Sequence, residues 1–305
     1  MSSIYFQSLS KEEKQQFIDS FDNIVTDCDG VLWNANGIIE AAPETINLLT
    51  CSGKCIFFIT NNSSKTKAQF HSKFQKYGFN VSEKNLFNTS TLTAKYLRNT
   101  LPSEKLVYVV GPEAVSDELK QYEIDSFGVG KEEVYDDILE NIDKSPIEIK
   151  KNVGAVVVGF DKYINYIKIL KAATYLKNKD CLFIATNTDE TFPTSNEFII
   201  PGTGAVLAGI QVASGREPFL IGKPSTYLSE VFKEEKIDPK RTLFIGDRCN
   251  TDILFGNKCS FKTLLVLSGV HSLEDVHKFE TSSLKESKLS VPDYYTDSIS
   301  DLYLK

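Results

Sequence analysis

The chain has 305 residues, a formal net charge of −7, 41% hydrophobic and 25% charged residues, which is typical of a soluble globular protein large enough for two domains. This acidic balance, without a run of lysine and arginine residues, argues against nucleic acid and anionic membrane as the main partner. The first residues have no signal-peptide pattern, and no apolar run approaches the roughly 18 residues that span a bilayer, so we expect a cytoplasmic protein.

Short apolar runs alternate with segments of helical periodicity along the chain. Such runs are typical of buried strands, and their alternation with helices favours a parallel sheet joined by right-handed crossovers. We therefore predict an α/β fold with ligands at the carboxyl ends of the strands. The predicted strands are 24–26, 54–59, 106–110, 153–158, 181–185, 219–222, 242–245 and 263–267. The predicted helices are 42–49, 65–77, 163–177 and 224–236, and the charged segment 131–151 is interpreted as a solvated helix or loop.

Two carboxylates, Asp27 and Asp29, follow the first of these strands directly. A strand that stops at a turn permitted by Gly30 lets both side chains converge on one ligand. The pair is therefore a candidate phosphoryl-transfer site, although an isolated acidic pair at a strand end is more often a turn or a solvated surface.

Three further polar motifs come directly after predicted strands. The carboxyl ends of parallel strands face one crevice, and we expect all four motifs to end strands of one sheet. Each motif alone is more often a helix cap, a turn or a loop, but together they favour one ligand site. The three motifs are Thr60-Asn61-Asn62, Lys223-Pro224 and Gly246-Asp247-Arg248-Cys249-Asn250-Thr251-Asp252.

Thr186-Asn187 repeats the Thr60-Asn61 motif at the end of another predicted strand. The repetition indicates two similar α/β units in one chain. Because only Thr60 follows the acidic pair by one strand and one helix, we assign phosphate binding to Thr60 and interpret Thr186-Asn187 as part of another domain.

The acidic residues suit a magnesium ion. Mg²⁺ prefers about six oxygen ligands and keeps several waters, so a few carboxylates and a substrate phosphate satisfy it better than a protein cage. The predicted ligands are Asp27, the backbone carbonyl of Asp29, and Asp247. Asp252 is expected to orient the metal-bound waters from behind these ligands.

Phosphate binding requires positive charge and hydrogen-bond donors around the phosphoryl oxygens. The Lys223 ammonium supplies the charge, and the Thr60 hydroxyl and the backbone N–H of Asn61 are donors. Asn62 completes the same loop, and we include it among the candidate phosphate-binding residues.

The six cysteines and three histidines form no metal-binding or disulfide pattern. Most cysteines are expected to be reduced and buried. Cys28 and Cys249 lie inside the acidic motifs, where oxidation would block the site.

In this order, the motifs resemble those of the haloacid dehalogenase-like phosphatases. Within that superfamily they are similar to the group of 4-nitrophenylphosphatase, phosphoglycolate phosphatase and pyridoxal phosphate phosphatase. The resemblance covers roughly residues 20–270. It is carried by Asp27-Cys28-Asp29-Gly30-Val31-Leu32-Trp33, Thr60-Asn61-Asn62-Ser63-Ser64-Lys65-Thr66, Gly202-Thr203-Gly204, Gly222-Lys223-Pro224-Ser225 and Gly246-Asp247-Arg248.

The resemblance implies a Rossmann-like catalytic core at residues 18–101 and 208–305, with a smaller inserted α/β cap at 102–207 that sets substrate specificity. It implies that Asp27 is the nucleophile that forms an aspartyl-phosphate, and that Asp29 is the general acid and base. It also implies Mg²⁺ as the cofactor and a homodimer formed through the cap.

Segment 187–193 resembles the substrate-specificity loop of the family, with Asn187, Asp189 and Phe192 as candidate specificity residues. Pyridoxal phosphate phosphatases carry a histidine where this chain has Phe192, so the resemblance favours a small aliphatic or an aryl phosphate. A buried aromatic residue of the cap is the alternative interpretation of Phe192.

The leading hypothesis is a Mg²⁺-dependent phosphatase of small phosphate monoesters. A phosphomutase would use the same acid and base but return the phosphoryl group before water enters. A pyridoxal phosphate phosphatase and a phosphotyrosine-protein phosphatase are further alternatives, although a covering cap should exclude bulky folded substrates. A non-enzymatic phosphate-binding scaffold is disfavoured because every expected catalytic residue is present.

Overall fold

The computed structural model describes residues 3–135, 146–192 and 198–304. No helix in these ranges is long and apolar enough to cross a membrane. The strands are β1 (Ile4–Tyr5), β2 (Asn23–Thr26), β3 (Trp33–Asn34), β4 (Gly37–Ile38), β5 (Cys55–Thr60), β6 (Leu86–Asn88), β7 (Leu106–Val110), β8 (Ser126–Phe127), β9 (Val153–Val158), β10 (Leu182–Ala185), β11 (Thr191–Phe192), β12 (Ile200–Pro201), β13 (Phe219–Leu220), β14 (Thr242–Gly246), β15 (Lys262–Val266) and β16 (Tyr294–Thr296). The α-helices are α1 (Lys11–Asp19), α2 (Ala42–Cys51), α3 (Lys67–Lys76), α4 (Thr89–Thr100), α5 (Glu113–Gln121), α6 (Tyr166–Leu176), α7 (Thr203–Ser214), α8 (Tyr227–Glu234), α9 (Leu254–Lys258), α10 (Leu273–Thr281) and α11 (Lys285–Leu289).

Seven parallel strands form the larger sheet, in the order β1-β16-β15-β14-β2-β5-β6. Successive side chains enter cores on opposite faces: Ile24 and Phe58 pack in one hydrophobic cluster, and Val25 and Phe57 in another. Both faces of the sheet are therefore covered, as in other parallel α/β sheets. Strand β2 lies between β14 and β5, so the acidic pair follows a central strand.

Five parallel strands form the second sheet, in the order β13-β10-β9-β7-β8. The predicted α/β fold class is confirmed, and the predicted helices correspond to α2, which is two residues longer than predicted, and to α3, α6 and α8, which are shorter. One expectation is wrong, because β13 pairs with β10 in this second sheet rather than in the larger one. An apolar run indicates a strand, but it does not indicate the sheet in which that strand pairs.

The division into core and cap stays a prediction, and several elements lie across its boundaries. Strand β1 precedes residue 18 and pairs with β16 of the larger sheet. Helix α7 spans residue 207, and β13 follows it in the second sheet. We therefore propose a core that begins near residue 4 and a cap that extends to about residue 220.

Sequence analysis missed the short strands β1, β6 and β16. Each has two or three residues, which is too short for a hydrophobic period to be recognised. The charged segment 131–151 lies partly outside the described residues, so its prediction is untested.

Side-chain caps fix the loop that follows β5. The Thr66 hydroxyl accepts a hydrogen bond from the Gln69 N–H at 3.3 Å, and the Gln69 side chain accepts one from the Thr66 N–H at 2.9 Å. This capping box begins α3. Asn88 caps α4 by accepting from the Thr91 N–H at 2.9 Å, and it also donates to the Lys65 carbonyl at 2.9 Å.

A buried ion pair holds a loop of the second sheet. Lys168 Nζ lies 2.6 Å from Asp161 Oδ2, and both side chains are buried. Phe160 directly precedes Asp161 and lines the pocket formed by the acidic motifs. The ion pair therefore fixes the position of Phe160.

Candidate active site

The carboxyl ends of three neighbouring strands bring the predicted motifs together. Strands β2, β5 and β14 are adjacent. Strand β2 ends directly before Asp27, β5 ends at Thr60, and β14 ends directly before Asp247. Lys223 instead follows β13 of the second sheet, so the expectation that all four motifs end strands of one sheet is wrong. A hydrogen bond of 2.9 Å from the Lys223 N–H to Asn61 Oδ1 still joins this residue to the end of β5.

The Lys223 ammonium bridges two buried carboxylates. Its Nζ lies 2.7 Å from Asp27 Oδ1 and 2.8 Å from Asp252 Oδ1. Burial by itself lowers the pKa of Lys223, but attraction to Asp252 and Asp27 outweighs it and holds the pKa above its ordinary value. Lys223 is therefore a permanent positive charge beside Asp27.

Asp27 is buried close to the carboxylates of Asp252 and Asp29. Burial raises the pKa of Asp27 to about 7, although Lys223 acts in the opposite direction. Repulsion from Asp252 and Asp29 adds to the increase. A further positive charge would favour the ionised form of Asp27.

Asp247 has a buried oxygen without a protein partner. Its Oδ2 accepts a hydrogen bond from the Val270 N–H at 2.8 Å, whereas its Oδ1 has no hydrogen-bond partner among the described residues. Carboxylate oxygens of Asp27, Asp247 and Asp252 lie within 4.8 Å of one another. Burial, followed by repulsion from Asp252 and Asp27, raises the pKa of Asp247 well above its usual range. This cluster of hard oxygen donors fits a divalent cation such as Mg²⁺.

Asp252 uses both of its oxygens within the protein. Its Oδ2 accepts hydrogen bonds from the N–H groups of Asp247 at 3.1 Å and Arg248 at 3.0 Å, while Oδ1 faces Lys223. These contacts are compatible with the predicted role of Asp252, which is to orient the metal-bound waters without binding the metal directly. The assignment of Asp27, Asp29 and Asp247 as ligands, and of Asp252 as their support, stays a prediction.

Gly30 allows the first motif to pack against Asp247. Its φ of +87° lies in the left-handed region, which glycine adopts without steric cost. A Cβ at this position would lie 2.3 Å from Asp247 Oδ2. Glycine is therefore required for both the turn and the space.

Asp29 accepts hydrogen bonds on both oxygens. Trp33 Nε1 lies 2.8 Å from Oδ1, and Thr60 Oγ1 lies 3.3 Å from Oδ2. Trp33 belongs to the first motif, but the motif alone indicates no role for it. The sequence signal for this contact is a tryptophan, which carries an N–H donor, four residues after Asp29.

Asn61 joins the two sheets. Its Nδ2 donates to Asp189 Oδ1 and to the Lys223 carbonyl, both at 3.1 Å. Its carbonyl accepts from Asn187 Nδ2 at 2.7 Å. The Asn61 side chain is therefore committed to protein contacts, which leaves its backbone N–H for the predicted role. The two Thr-Asn motifs, interpreted as separate features, meet here.

Asn62 stabilises a local turn. Its N–H donates to Thr60 Oγ1 at 3.1 Å, and its Oδ1 accepts from the Ser64 N–H at 2.9 Å. Asparagine commonly closes turns in this way. Its predicted contact with phosphate stays a prediction.

The converging residues line a pocket with a cavity volume of about 50 Å³. Arg248 and Phe160 also line it, and sequence analysis assigned a role to neither. Arg248 Nη2 lies 3.4 Å from the Thr191 carbonyl of β11, so a residue of the fourth motif contacts the predicted specificity loop. The position of Arg248 directly after Asp247 in the sequence is the signal that could have placed Arg248 at the pocket.

The predicted specificity residues differ in what the structure describes. Asn187 and Asp189 line the pocket. Burial raises the pKa of Asp189, and Arg248 and the hydrogen bond from Asn61 oppose this increase. Phe192 lies in β11, which pairs with β12, but its side chain is outside the described structure and its role stays a prediction.

Cys28 and Cys249 are both buried. Burial, followed by the charges of Asp27 and Asp29, raises the pKa of the Cys28 thiol well above its usual range. Burial raises the pKa of Cys249 to about 12. Because the thiolate is the reactive form, this environment disfavours oxidation of either residue.

Comparison with protein families identifies the class. A model described as haloacid dehalogenase-like hydrolase matches residues 24–125, and one described as HAD-hydrolase-like matches residues 220–302. The chain is also 40% identical over 303 residues to glycerol-3-phosphate phosphatase of Rattus norvegicus, covering 96% of this chain and 94% of that protein. The chain belongs to the haloacid dehalogenase-like hydrolases, as the motifs predicted.

Further similarities agree with this assignment. Phosphoglycolate phosphatase 1A, chloroplastic, of Arabidopsis thaliana is 39% identical, with 95% of this chain and 78% of that protein covered. The structure of the p-nitrophenyl phosphatase from Archaeoglobus fulgidus superposes with a TM-score of 0.75 at 27% identity, covering 92% of this chain and 98% of that one. The expected activity class, a phosphatase, is therefore confirmed.

Replacing Gly30 by alanine should separate Asp247 from the first motif. Because the new Cβ overlaps Asp247 Oδ2, we expect Gly30→Ala to weaken Mg²⁺ binding at least tenfold and to lower activity at least as much. Isothermal titration calorimetry with Mg²⁺ measures the first effect. Gly53→Ala is the matched control, since Gly53 has a φ of +89° and no atom beyond its two chain neighbours lies within 4 Å of the place that its Cβ would take. Unchanged Mg²⁺ affinity in Gly30→Ala would contradict the packing argument.

Affinity for a divalent cation should weaken as the pH falls. Asp27 has a raised pKa of about 7, so the folded metal-free protein binds a proton more tightly than the unfolded chain, and its stability decreases as the pH rises from about 4 towards 7. Protons compete with the cation below pH 7, and we expect affinity to fall up to about tenfold per pH unit. Thermal melts at pH 5, 6, 7 and 8, with and without Mg²⁺, measure both effects. Asp27→Asn should flatten the dependence, and an equal dependence in that variant would exclude Asp27 as the titrating group.

Proposed function

We propose that this protein is a Mg²⁺-dependent phosphatase of small phosphate monoesters that acts through an aspartyl-phosphate on Asp27. The observation that carries the proposal is the meeting of Asp27, Asp29, Lys223 and Asp247 in one pocket. Family membership and the phosphatase relatives support it.

In the first half-reaction, the Asp27 carboxylate attacks phosphorus and the bond to the leaving oxygen breaks. Asp29 donates its proton to that oxygen. Lys223 fixes Asp27 through the 2.7 Å contact at Oδ1 and offsets negative charge that would otherwise repel the dianionic phosphate. Mg²⁺, held by Asp27, the Asp29 carbonyl and Asp247, would supply additional positive charge at the phosphoryl oxygens.

In the second half-reaction, the ionised Asp29 accepts a proton from water while the water oxygen attacks phosphorus of the aspartyl-phosphate. The bond between phosphorus and Asp27 breaks, inorganic phosphate leaves and the carboxylate is restored. Thr60, the predicted donor to the phosphoryl oxygens in both steps, has its hydroxyl 3.3 Å from Asp29 Oδ2.

The size of the pocket supports a small substrate. A cavity of about 50 Å³ is far below the several hundred cubic ångströms of typical drug-sized pockets. Asp189 and Arg248 line it and offer a hydrogen-bond acceptor and a positive charge to the leaving group. Glycerol phosphate or phosphoglycolate suits this space better than pyridoxal phosphate or a phosphotyrosine protein, and the names of the relatives give the same two small substrates.

Asp27→Asn tests the nucleophile. The variant keeps the side-chain volume but removes the attacking charge, so we expect release of phosphate to fall at least about 10³-fold. Phosphate release is measured from glycerol 3-phosphate, phosphoglycolate, 4-nitrophenyl phosphate and pyridoxal phosphate, with and without Mg²⁺.

The substrate panel distinguishes the alternatives. A higher kcat/KM for the two aliphatic substrates supports the size argument, and preference for pyridoxal phosphate contradicts it. Sustained isomerisation without phosphate release would indicate a phosphomutase, whereas tight phosphate binding without turnover would indicate a scaffold. Retention of wild-type activity in Asp27→Asn would overturn the mechanism.

We also propose a homodimer formed through the cap, in the cytoplasm. Two apolar side chains support the interface: Val212 of α7 is 85% exposed and Tyr166 of α6 is 54% exposed. These two helices pack against each other, so both exposed apolar side chains lie on neighbouring helices of the predicted cap.

A charge in this surface should dissociate the dimer. We expect Val212→Glu to be monomeric, because a buried unpaired charge costs several kcal/mol at an interface. Multi-angle light scattering gives the mass of each form, and Ile4→Glu, which alters an exposed apolar residue of the larger sheet, is the control. A monomeric wild type, or a dimeric Val212→Glu, would contradict the proposal.

A further inference from the structure

The indole of Trp33 contacts the proposed acid and base directly. Trp33 is the single tryptophan of the chain and is 1% exposed. Its Nε1 donates to Asp29 Oδ1 at 2.8 Å. A buried tryptophan N–H normally finds some acceptor, so the choice of Asp29 as that acceptor needs further support.

The surroundings of Trp33 hold its ring in one orientation. Phe74 packs edge-on against it at a centroid distance of 4.9 Å, and Phe79 does so at 6.1 Å. The Lys73 ammonium lies 3.9 Å from the ring centroid, a favourable cation–π distance. The direction of the indole N–H is therefore set by packing before any substrate binds.

A tight turn of the backbone brings Trp33 close to Asp29. The Gly30 N–H donates to the Trp33 carbonyl at 2.7 Å. Asp29 and Trp33 also pair through their backbones as a single β-bridge. This tight return places the indole beside the carboxylate that precedes Gly30. The contact thus belongs to the same turn that positions the catalytic motif.

Thr60, the second hydrogen-bond donor to Asp29, constrains the orientation of the Asp29 carboxyl group less than Trp33 does. Thr60 Oγ1 lies 3.3 Å from Asp29 Oδ2, and the same hydroxyl accepts a hydrogen bond from the Asn62 N–H. A hydroxyl proton rotates about its C–O bond, whereas an indole N–H is fixed in the ring plane. The indole is therefore the shorter and the more directional of the two contacts.

We propose that Trp33 is a positioning residue, whose N–H holds the Asp29 carboxyl group where it can transfer a proton to and from the reacting oxygens. This inference rests on the proposed function, in which Asp29 protonates the leaving group. Phe74, Phe79 and Lys73 act through the ring by keeping its orientation.

The proposal predicts a dependence on the leaving group. The value of kcat/KM reports the steps up to departure of the leaving group. An alkoxide from glycerol 3-phosphate must be protonated as it leaves, whereas 4-nitrophenolate is a stable anion that needs little help. Misplacing Asp29 should therefore slow the alkyl substrate much more than the aryl one, and a general loss of folded structure would slow both equally.

Replacement of the single tryptophan by 3-benzothienylalanine tests this dependence. The analogue keeps the size and shape of the bicyclic ring but has sulfur in place of N–H, and incorporation in place of tryptophan changes only residue 33. We expect kcat/KM for glycerol 3-phosphate to fall about tenfold or more, the effect of one hydrogen bond to a charged group. We expect the value for 4-nitrophenyl phosphate to fall less than about threefold. Trp33→Phe should give the same selectivity.

Phe17→Leu is the matched control, because it alters a buried aromatic residue of the same hydrophobic cluster whose ring packs against Phe6, Phe21 and Tyr294 rather than against the indole. Any loss in Phe17→Leu should be similar for the two substrates. Equal losses for both substrates in the 3-benzothienylalanine protein, or no loss, would overturn the positioning role. A wild type that releases no phosphate, or that matches Asp27→Asn, would instead overturn the proposed function.

Discussion

The concentration of negative charge at the ends of β2 and β14 is the constraint on which the site depends. Asp27, Asp247 and Asp252 are buried within reach of one another, and such a cluster repels itself strongly at low dielectric. Lys223 offsets part of this charge through two contacts. The remaining charge explains both the raised pKa values and the fit to a divalent cation, so folding prepares a site that favours cations.

The same charge requires that the two sheets stay in contact. Lys223 follows a strand of the second sheet, yet its ammonium lies between carboxylates of the first. Asn61 holds the two together through its hydrogen bonds to Asp189 and to the Lys223 backbone. Lys223 therefore links charge compensation in the pocket to the contact between the two sheets.

The local sequence determined much of this arrangement. The strands before Asp27, Thr60 and Asp247 could be recognised because each is a continuous apolar run, and a buried parallel strand needs such a run. Gly30 marked the turn, and the acidic and hydroxyl residues after the strands marked the site. Topology rules then place strand ends on one edge of a sheet, which is why the positions of these groups could be predicted.

Tertiary structure decided what the local sequence does not encode. The pairing of β13 in the second sheet, the contact of Asn187 with Asn61 and the N–H of Trp33 on Asp29 all depend on three-dimensional packing. An apolar run predicts a strand but not its neighbour, and a side chain's partner is set by where its backbone returns in space. The sequence by itself therefore determined the fold class and the candidate reactive groups, whereas packing determined the orientation of these groups, their charge balance and the space left for a substrate.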